Sequence, residues 1–257
     1  MLIDEQFEQP KPITIEKFQP WSTFIVKSKL PKFVFDKMLK ITDDIISSHD
    51  DTVDLLFIEN EILESEKVMS YLLNMIRNFV MDQMIQAKPF KIEEIKNDEW
   101  YTSISKMWIV SQKDNEYQPC HIHPDSHVSA VMYLKIPEYV SSNNDEKKSL
   151  HETYLPSNDP FYLFESNSSK KIDGAITFIS NSTRDSFWGE QRLTIKPEVG
   201  DFFIFPSSLQ HLVYPFKSID GKGERRGISF NSIFTSKLWE EYKEKNGEES
   251  IWMQKIE

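Results

Sequence analysis

The sequence predicts an α+β chain, helical in its front half and mainly β from about Tyr101, with the strands closing as a barrel or sandwich. Two observations carry this. Apolar residues recur at spacings of three and four before residue 90, the period of an amphipathic helix. Beyond Tyr101 the helical period gives way to short β-branched and aromatic runs separated by proline, glycine or polar clusters, as in all-β domains. A third observation sets the scale: 257 residues, 39% hydrophobic and 13% aromatic, can bury one substantial core and are not a disordered chain.

In chain order, Pro31 opens a helix with Val34, Met38, Ile41 and Ile45 on one face. A second helix starts near Ser65, carries Val68, Leu72, Met75, Ile76, Phe79 and Val80, and stops before Pro89. The methionines on it read as core packing. The strands expected next are Met107–Val110, Val128–Ile136, Ala175–Ile179, Leu193–Ile195, Phe202–Phe205 and Gly227–Phe234. The segment from Pro137 to Asp173 breaks this rhythm with two polar runs, and reads as an insertion over one mouth of the barrel. A short helix from Ser236 to Lys245 closes the chain. The implied division is an N-terminal strand and helix region over 1–100 packing on the barrel, a β core over 101–235 with its insertion at 137–173, and a helical tail over 236–257. No repeat of 20–50 residues points to a solenoid or propeller.

Lys and Arg total 30 against 41 Asp and Glu, a net charge of −11. That balance disfavours a chain-wide phosphate-binding surface, so nucleic acid is not expected as a partner. Cys120 is the only cysteine. It excludes an intramolecular disulfide and any zinc site built on several thiolates, and suits a reducing interior. Neither a signal peptide nor a stretch of roughly 18–20 apolar residues is found. A soluble, cytoplasmic protein is expected, in the host cytoplasm if a phage encodes it.

Three of the six histidines, His121, His123 and His127, fall within seven residues. In a strand His121 and His123 project from the same face, and Pro119 and Pro124 bracket them with stiff backbone. Two imidazoles on one face with a third ligand from a distant strand make a facial site for a first-row divalent metal, without choosing among iron, zinc, copper and nickel. His211 is the natural third ligand, lying between the run Gly200–Pro206 and Val213-Tyr-Pro215. His49 and His151 read as ordinary surface residues. Cys120, one residue before His121, should face away from the site as a buried bystander. Fourteen residues beyond His211 comes Arg225-Arg-Gly-Ile-Ser-Phe-Asn231. In a strand Arg225, Gly227, Ser229 and Asn231 share one face, and Arg226, Ile228 and Phe230 the other. A guanidinium inside an apolar barrel is costly unless it meets an anion, which a carboxylate ligand would supply with bidentate geometry. Alternatively the two arginines cap a hairpin after Asp220-Gly-Lys-Gly-Glu224. Trp108, Tyr133 and Asn231 are candidates for shaping the pocket.

His121-Ile-His-Pro-Asp-Ser-His-Val-Ser-Ala-Val-Met-Tyr-Leu134 resembles the "HxHPxSxxSGVYYL" signature of a family of 2-oxoglutarate/iron(II) oxygenases common in bacteria and marine phages. Gly200–Pro215 resembles its "GxLxxFPSxxxHxVxP" signature, Glu224–Asn231 its "eRisiSFN", and Gly174–Phe178 its short "GxlxF" strand. The resemblance covers roughly residues 101–234. It implies a double-stranded β-helix (a jelly-roll, cupin-like barrel) buttressed by helices, with iron at its open end. It also implies Fe(II) as metal, 2-oxoglutarate as cosubstrate and O₂, with succinate and CO₂ released as a substrate is hydroxylated. Carried over, His121, His123 and His211 are the metal ligands. Arg225 pairs with the far carboxylate of 2-oxoglutarate, with Arg226 as the alternative and Tyr133 and Ser229 beside it. The wider superfamily mostly uses His-x-Asp/Glu…His. A second reading therefore makes His123-Pro-Asp125 the near pair, with Asp125 as ligand and His121 outside the triad, while His127 points outward or borders the substrate mouth.

The substrate class is open: a small molecule, a peptide or a protein side chain, with no membrane partner. A homodimer is compatible with the sequence. The competing function is a cupin-like metal-binding or structural barrel without oxygenase activity, since fold does not fix function. Such a barrel has no need of an arginine facing the metal cavity.

Overall fold

The computed structural model describes residues 15–18, 23–48, 56–58, 65–87, 91–140, 172–179 and 192–246. Both predicted helices form, as α1 (Lys32–Ser48) and α2 (Glu66–Ala87). The first N–H groups of α1 bond to Pro31 O, those of α2 to Ser65 O. Val34, Met38, Ile41 and Ile45 are all buried, as their spacing requires. A short α3 (Ile92–Asn97) follows, with Glu94 reaching back 2.8 Å to accept from the Lys91 N–H. The closing helix is α4 (Lys237–Asn246), whose N-terminus is capped by the Ser236 hydroxyl and the Asp98 carboxylate. Among the described residues no helix is long and apolar enough to cross a membrane.

Among the described residues, eleven strands make two antiparallel sheets. They are β1 (Ile15–Phe18), β2 (Ile25–Lys29), β3 (Leu56–Phe57), β4 (Trp100–Gln112), β5 (Gln118–His121), β6 (Val128–Lys135), β7 (Ile176–Ile179), β8 (Arg192–Ile195), β9 (Asp201–Pro206), β10 (Gln210–Val213) and β11 (Arg225–Ser236). The larger sheet runs β1-β2-β9-β6-β11-β4-β3 and the smaller β5-β10-β7-β8. From β4 to β11 successive strands change sheet except at the β7–β8 hairpin, which stays in the smaller sheet, the pattern of a double-stranded β-helix and the architecture the signatures implied. The N-terminal region does more than pack on the barrel: β2 pairs with β9 and β1 with β2, widening the larger sheet. Residues 141–171 of the expected insertion, along with His49 and His151, lie outside the described residues.

Each face of the larger sheet buries a different core. One packs Met107, Ile109, Met132, Leu134, Ile228 and Phe230 against α1 and α2. The other encloses Ile25, Tyr133, Ile176, Phe178, Phe203, Phe205 and Val213 between the sheets. The β11 residues divide accordingly, with Ile228 and Phe230 on the helix side. Arg226 is on that side too. Its guanidinium is held by Glu224 at 2.6 and 2.7 Å and by Asp43 at 2.6 Å, and Lys135 also reaches Asp43 at 2.6 Å. Lys135 first, and then Arg226, hold the Asp43 carboxyl below its usual range. Arg226 therefore ties α1 to the sheet, on the face turned away from the histidines.

Gly227 sits where β6 approaches most closely. A Cβ there would lie 2.6 Å from the Met132 carbonyl oxygen, which belongs to the paired strand and cannot swing away. Gly227→Ala should therefore lower stability by about 1–3 kcal/mol, the usual range for overpacking, read from the midpoint of chemical denaturation at unchanged slope.

Candidate metal centre

The smaller sheet brings the histidines together. On β10, His211 pairs directly with His121 on β5 on one side and with Phe178 on β7 on the other. His121 ends its strand, while His123 lies in the loop that follows, not in the same strand as expected. Pro124 prevents the strand from continuing, and Asp125 turns the chain with φ of 59°. The loop is anchored by His123 N–H donating to Ser207 O at 3.0 Å and by Ser207 N–H donating to His127 O at 3.2 Å.

The result is a cluster in which one ligand nitrogen from each of His121, His123 and His211 lies within 4.8 Å of the others. The rings of His123 and His211 are nearly parallel, 5° apart, with their Nε2 atoms 3.2 Å from each other. Two imidazole nitrogens bound about 2.1 Å from one ion at a right angle are about 3.0 Å apart, so this pair is already at bonding separation. The ring protons are placed by the backbone. His121 Nδ1 lies 2.7 Å from Pro119 O and His211 Nδ1 lies 2.9 Å from Leu209 O. A carbonyl only accepts, so each Nδ1 carries the proton and each Nε2 keeps its lone pair. Burial pushes His211 down to about 3 and His123 down to about 4, with the neighbouring histidines adding to the effect. Neutral, convergent imidazoles are the donor set that a first-row divalent ion requires. The residues fit such an ion.

Asp125 is exposed in its turn, and no carboxylate among the described residues joins the cluster. His127 is outside it too, accepting from the Phe234 N–H at 3.2 Å and packing edge-on against the Phe234 ring. Cys120 faces away from the site as expected, but it is exposed and not buried. The edge position of β5 explains the difference, since no further strand covers it among the described residues.

A cavity opens beside the histidines. Its walls include Trp108, Gln118, Val131, Tyr133, Phe205 and Ser229. Trp108 stacks on His123 with ring centroids 5.5 Å apart. Tyr133 is buried, which pushes its phenol well above the usual range. Asn231 is not among the residues that line this cavity; its Oδ1 accepts from Ser129 Oγ at 2.9 Å. Arg225, 2% exposed, lies further along the same face of β11 as Ser229. It donates to Gly174 O at 2.7 Å, to Tyr214 O at 3.4 Å and to Gln112 Oε1, and it lies over the Phe216 ring. These oxygens are all neutral, so they order the guanidinium without cancelling its charge. Sequence reasoning missed Gln112 and Gln118. Nothing in their local sequence marks them; strand register alone sets Gln112 opposite Arg225.

The family described as "Putative 2OG-Fe(II) oxygenase" matches residues 106–231, a span that runs from within β4 to Asn231 and contains all three histidines and Arg225. No curated protein sequence matches the chain. Among solved structures, a 2OG-Fe(II) oxygenase family oxidoreductase from Burkholderia pseudomallei is 12% identical, with 81% of this chain and 84% of that chain covered at a TM-score of 0.43. A Pseudomonas putida prolyl-4-hydroxylase is 13% identical, with coverages of 80% and 91% and a TM-score of 0.42. The viral collagen prolyl hydroxylase of Paramecium Bursaria Chlorella virus-1, in its 2OG complex, is 13% identical, with coverages of 81% and 94% and a TM-score of 0.42. Likenesses at that level carry no weight for substrate or mechanism; the family match and the histidine cluster bear on the cofactors alone. Residues 106–231, just under half of the chain, match the 2OG-Fe(II) oxygenases, and with the histidine cluster they make the core of a non-haem dioxygenase that uses Fe(II), 2-oxoglutarate and O₂.

Proposed function

We propose that this oxygenase hydroxylates an organic substrate (a small molecule, a peptide or a protein side chain) at an Fe(II) held by His121, His123 and His211. The observation that carries the ligand assignment is the convergence of these three imidazoles within 4.8 Å at the mouth of a partly apolar cavity. When bound, Fe(II) with 2-oxoglutarate and O₂ supplies the oxidising chemistry: one oxygen atom enters the substrate and the other ends in succinate, with CO₂ released. The chain's own residues bind, orient and exclude water. Phe178 and Phe205 pack around His211 and keep its ring dry. Trp108 holds the His123 ring plane. Asp125, exposed and turned away, has no part in this reading.

In the same reading Arg225 takes the far carboxylate of 2-oxoglutarate, with Ser229 and Tyr133 on the path from the metal. Its charge is compensated only by neutral oxygens at 2.7 and 3.4 Å and by Gln112, and its fork suits a carboxylate. Arg226 is committed to Asp43 and Glu224. The single cysteine, free and exposed, suits work in a reducing compartment such as the cytoplasm.

Anaerobic titration of Fe(II) and 2-oxoglutarate tests this directly. The protein should develop a visible charge-transfer band that saturates at one equivalent of each, and should form succinate when oxygen and a substrate are supplied. Absence of the band would leave only a metal-binding barrel. His211→Ala should abolish the band while the far-ultraviolet circular dichroism is retained. Arg225→Met should weaken 2-oxoglutarate binding by roughly 100-fold, about 3 kcal/mol, and leave Fe(II) binding close to wild type.

The histidines also set a pH dependence. Both His123 and His211 have folded values below their unfolded value of about 6.5, so the unfolded chain takes up protons first. Stability of the chelator-treated protein should therefore fall as pH drops from about 6.5 towards 4, and be insensitive to these groups above that window. Denaturant midpoints measured across that range should show a shallower slope in His211→Ala.

A further inference from the structure

We propose that the substrate is an extended peptide segment bearing a basic residue, laid in a groove beside β4 and gripped by Gln118 at the neck leading to the metal; this rests on the three-histidine reading above. Two cavities meet at that neck. The one beside the histidines measures only about 60 Å³. A larger groove of about 460 Å³ adjoins it, and Trp108 and Gln118 are the two side chains that line both. A pocket that encloses a small organic ligand usually measures about 300–1,000 Å³. The smaller cavity therefore admits only the reacting end of a substrate, and the body of that substrate lies in the groove.

Gln118 reaches the neck through a β-bulge. Between β5 and β10, His121 pairs with His211 and Gln118 with Val213, so three steps on one strand match two on the other. In a regular ladder Pro119 would stand opposite Val213 and share the face of His121. The extra residue puts Gln118 there instead, the kind of re-aiming that bulges perform beside active sites. The same bulge leaves the Pro119 carbonyl to hold His121 Nδ1 at 2.7 Å. The Gln118 side chain is half-buried and has no hydrogen-bond partner among the described residues. Its donor and its acceptor are both available to a ligand.

Shape and charge choose the occupant. The groove follows five successive residues of β4, Trp108 to Gln112, about 13 Å at the usual rise of a strand. That length takes about four residues of extended chain, and a compact metabolite would leave most of it unfilled. Some of its polar wall is already engaged: Ser111 Oγ donates to Glu224 at 2.8 Å, and Gln112 Oε1 accepts from Arg225. Gln118 and Asn115 keep open amides, which match the donor and acceptor of a peptide group. Among the described residues Glu116 is the one charged side chain on this wall, and no cation accompanies it. One of its oxygens accepts from the Lys113 N–H at 2.7 Å, which leaves the other for a ligand. An acidic ligand would face that carboxylate with nothing to pair it. A lysine or arginine would pair with it, and Tyr117, 61% exposed, offers a ring face beside it.

The test uses the full chain loaded with 2-oxoglutarate and Zn(II), which is redox-silent. Nitrogen–proton correlation spectra are recorded with three probes: octapeptides randomised around a fixed central lysine, the same pool around a fixed glutamate, and free lysine. The lysine pool should shift the side-chain amides of Gln118 and Asn115 and the backbone amide of Tyr117, and the other two probes should not. Glu116→Lys should turn the preference toward the glutamate pool. Gln118→Leu should weaken binding of the lysine pool by roughly 10-fold at unchanged Zn(II) affinity. No groove shift with the lysine pool, or an equal shift with either other probe, overturns the proposal in the wild type, so a variant that fails to fold does not shelter it. An unchanged preference in Glu116→Lys, or wild-type peptide binding in a folded Gln118→Leu, overturns it as well. A protein that binds no stoichiometric Zn(II) removes the three-histidine reading, whereas a silent groove with Zn(II) bound removes this inference alone.

Discussion

The two-residue alternation of β11 is the constraint on which most of this molecule depends. The strand pairs with β4 on one side and β6 on the other, so its side chains have only two directions to take. Ile228 and Phe230 go toward the helices and close the larger core. Arg226 goes the same way and ties the sheet to α1 through Asp43. Arg225, Ser229 and Asn231 go toward the interior between the sheets, where Ser229 lines the cavity and Asn231 accepts from Ser129. A slip of one residue would exchange these sets. It would bury Phe230 against imidazoles and send the Arg225 cation toward helices whose acidic partner already serves Arg226. Gly227 protects the register, because the close approach to Met132 leaves no room for a side chain.

The metal centre is assembled by short-range means within that frame. Two of its imidazoles are oriented by carbonyls of their own strand ends or turns, so local backbone geometry determines their tautomer. Burial among Phe178, Phe205 and Trp108 keeps the rings neutral, and it is desolvation that dominates the lowered values of His123 and His211. Three neutral donors leave the full charge of a divalent ion uncompensated by the protein. In the proposed site an anionic cosubstrate would meet positive charge at both ends, from the metal and from the Arg225 guanidinium.

Much of this was legible in the residues themselves. The helical stripes of α1 and α2 are made of residues that the structure buries, Met75 only in part, because an apolar face at a period of 3.6 finds its partner in the core. His121 and His123 were marked by their spacing and flanking prolines, His211 by the Gly200–Pro215 run, and Arg225 by the Glu224–Asn231 run, whose alternation placed it on one face of its strand. What was not legible depended on neighbours distant in sequence. Cys120 lies exposed because β5 is an edge strand, which no local pattern reveals. The strands β1 and β2 carry few of the signals that mark a barrel strand, since they gain their partner only when β9 is in place. Asn231 looked like a pocket wall by its face alone, and only the cross-strand pairing shows its amide engaged by Ser129.

By itself, then, the sequence determined the chemistry on offer: which residues could ligate, which face of β11 each of its side chains would take, and that imidazole would dominate the donor set. These follow from side-chain identity and local period, both readable over a few residues. Tertiary structure alone decided which donors meet. His211 stands opposite His121 because β10 and β5 pair in that register, and Asp125 is lost to the site because Pro124 and a left-handed turn carry it outward. The choice between a carboxylate and a third imidazole rests on differences of a few ångströms between segments some 90 residues apart, and only the closed barrel fixes distances on that scale.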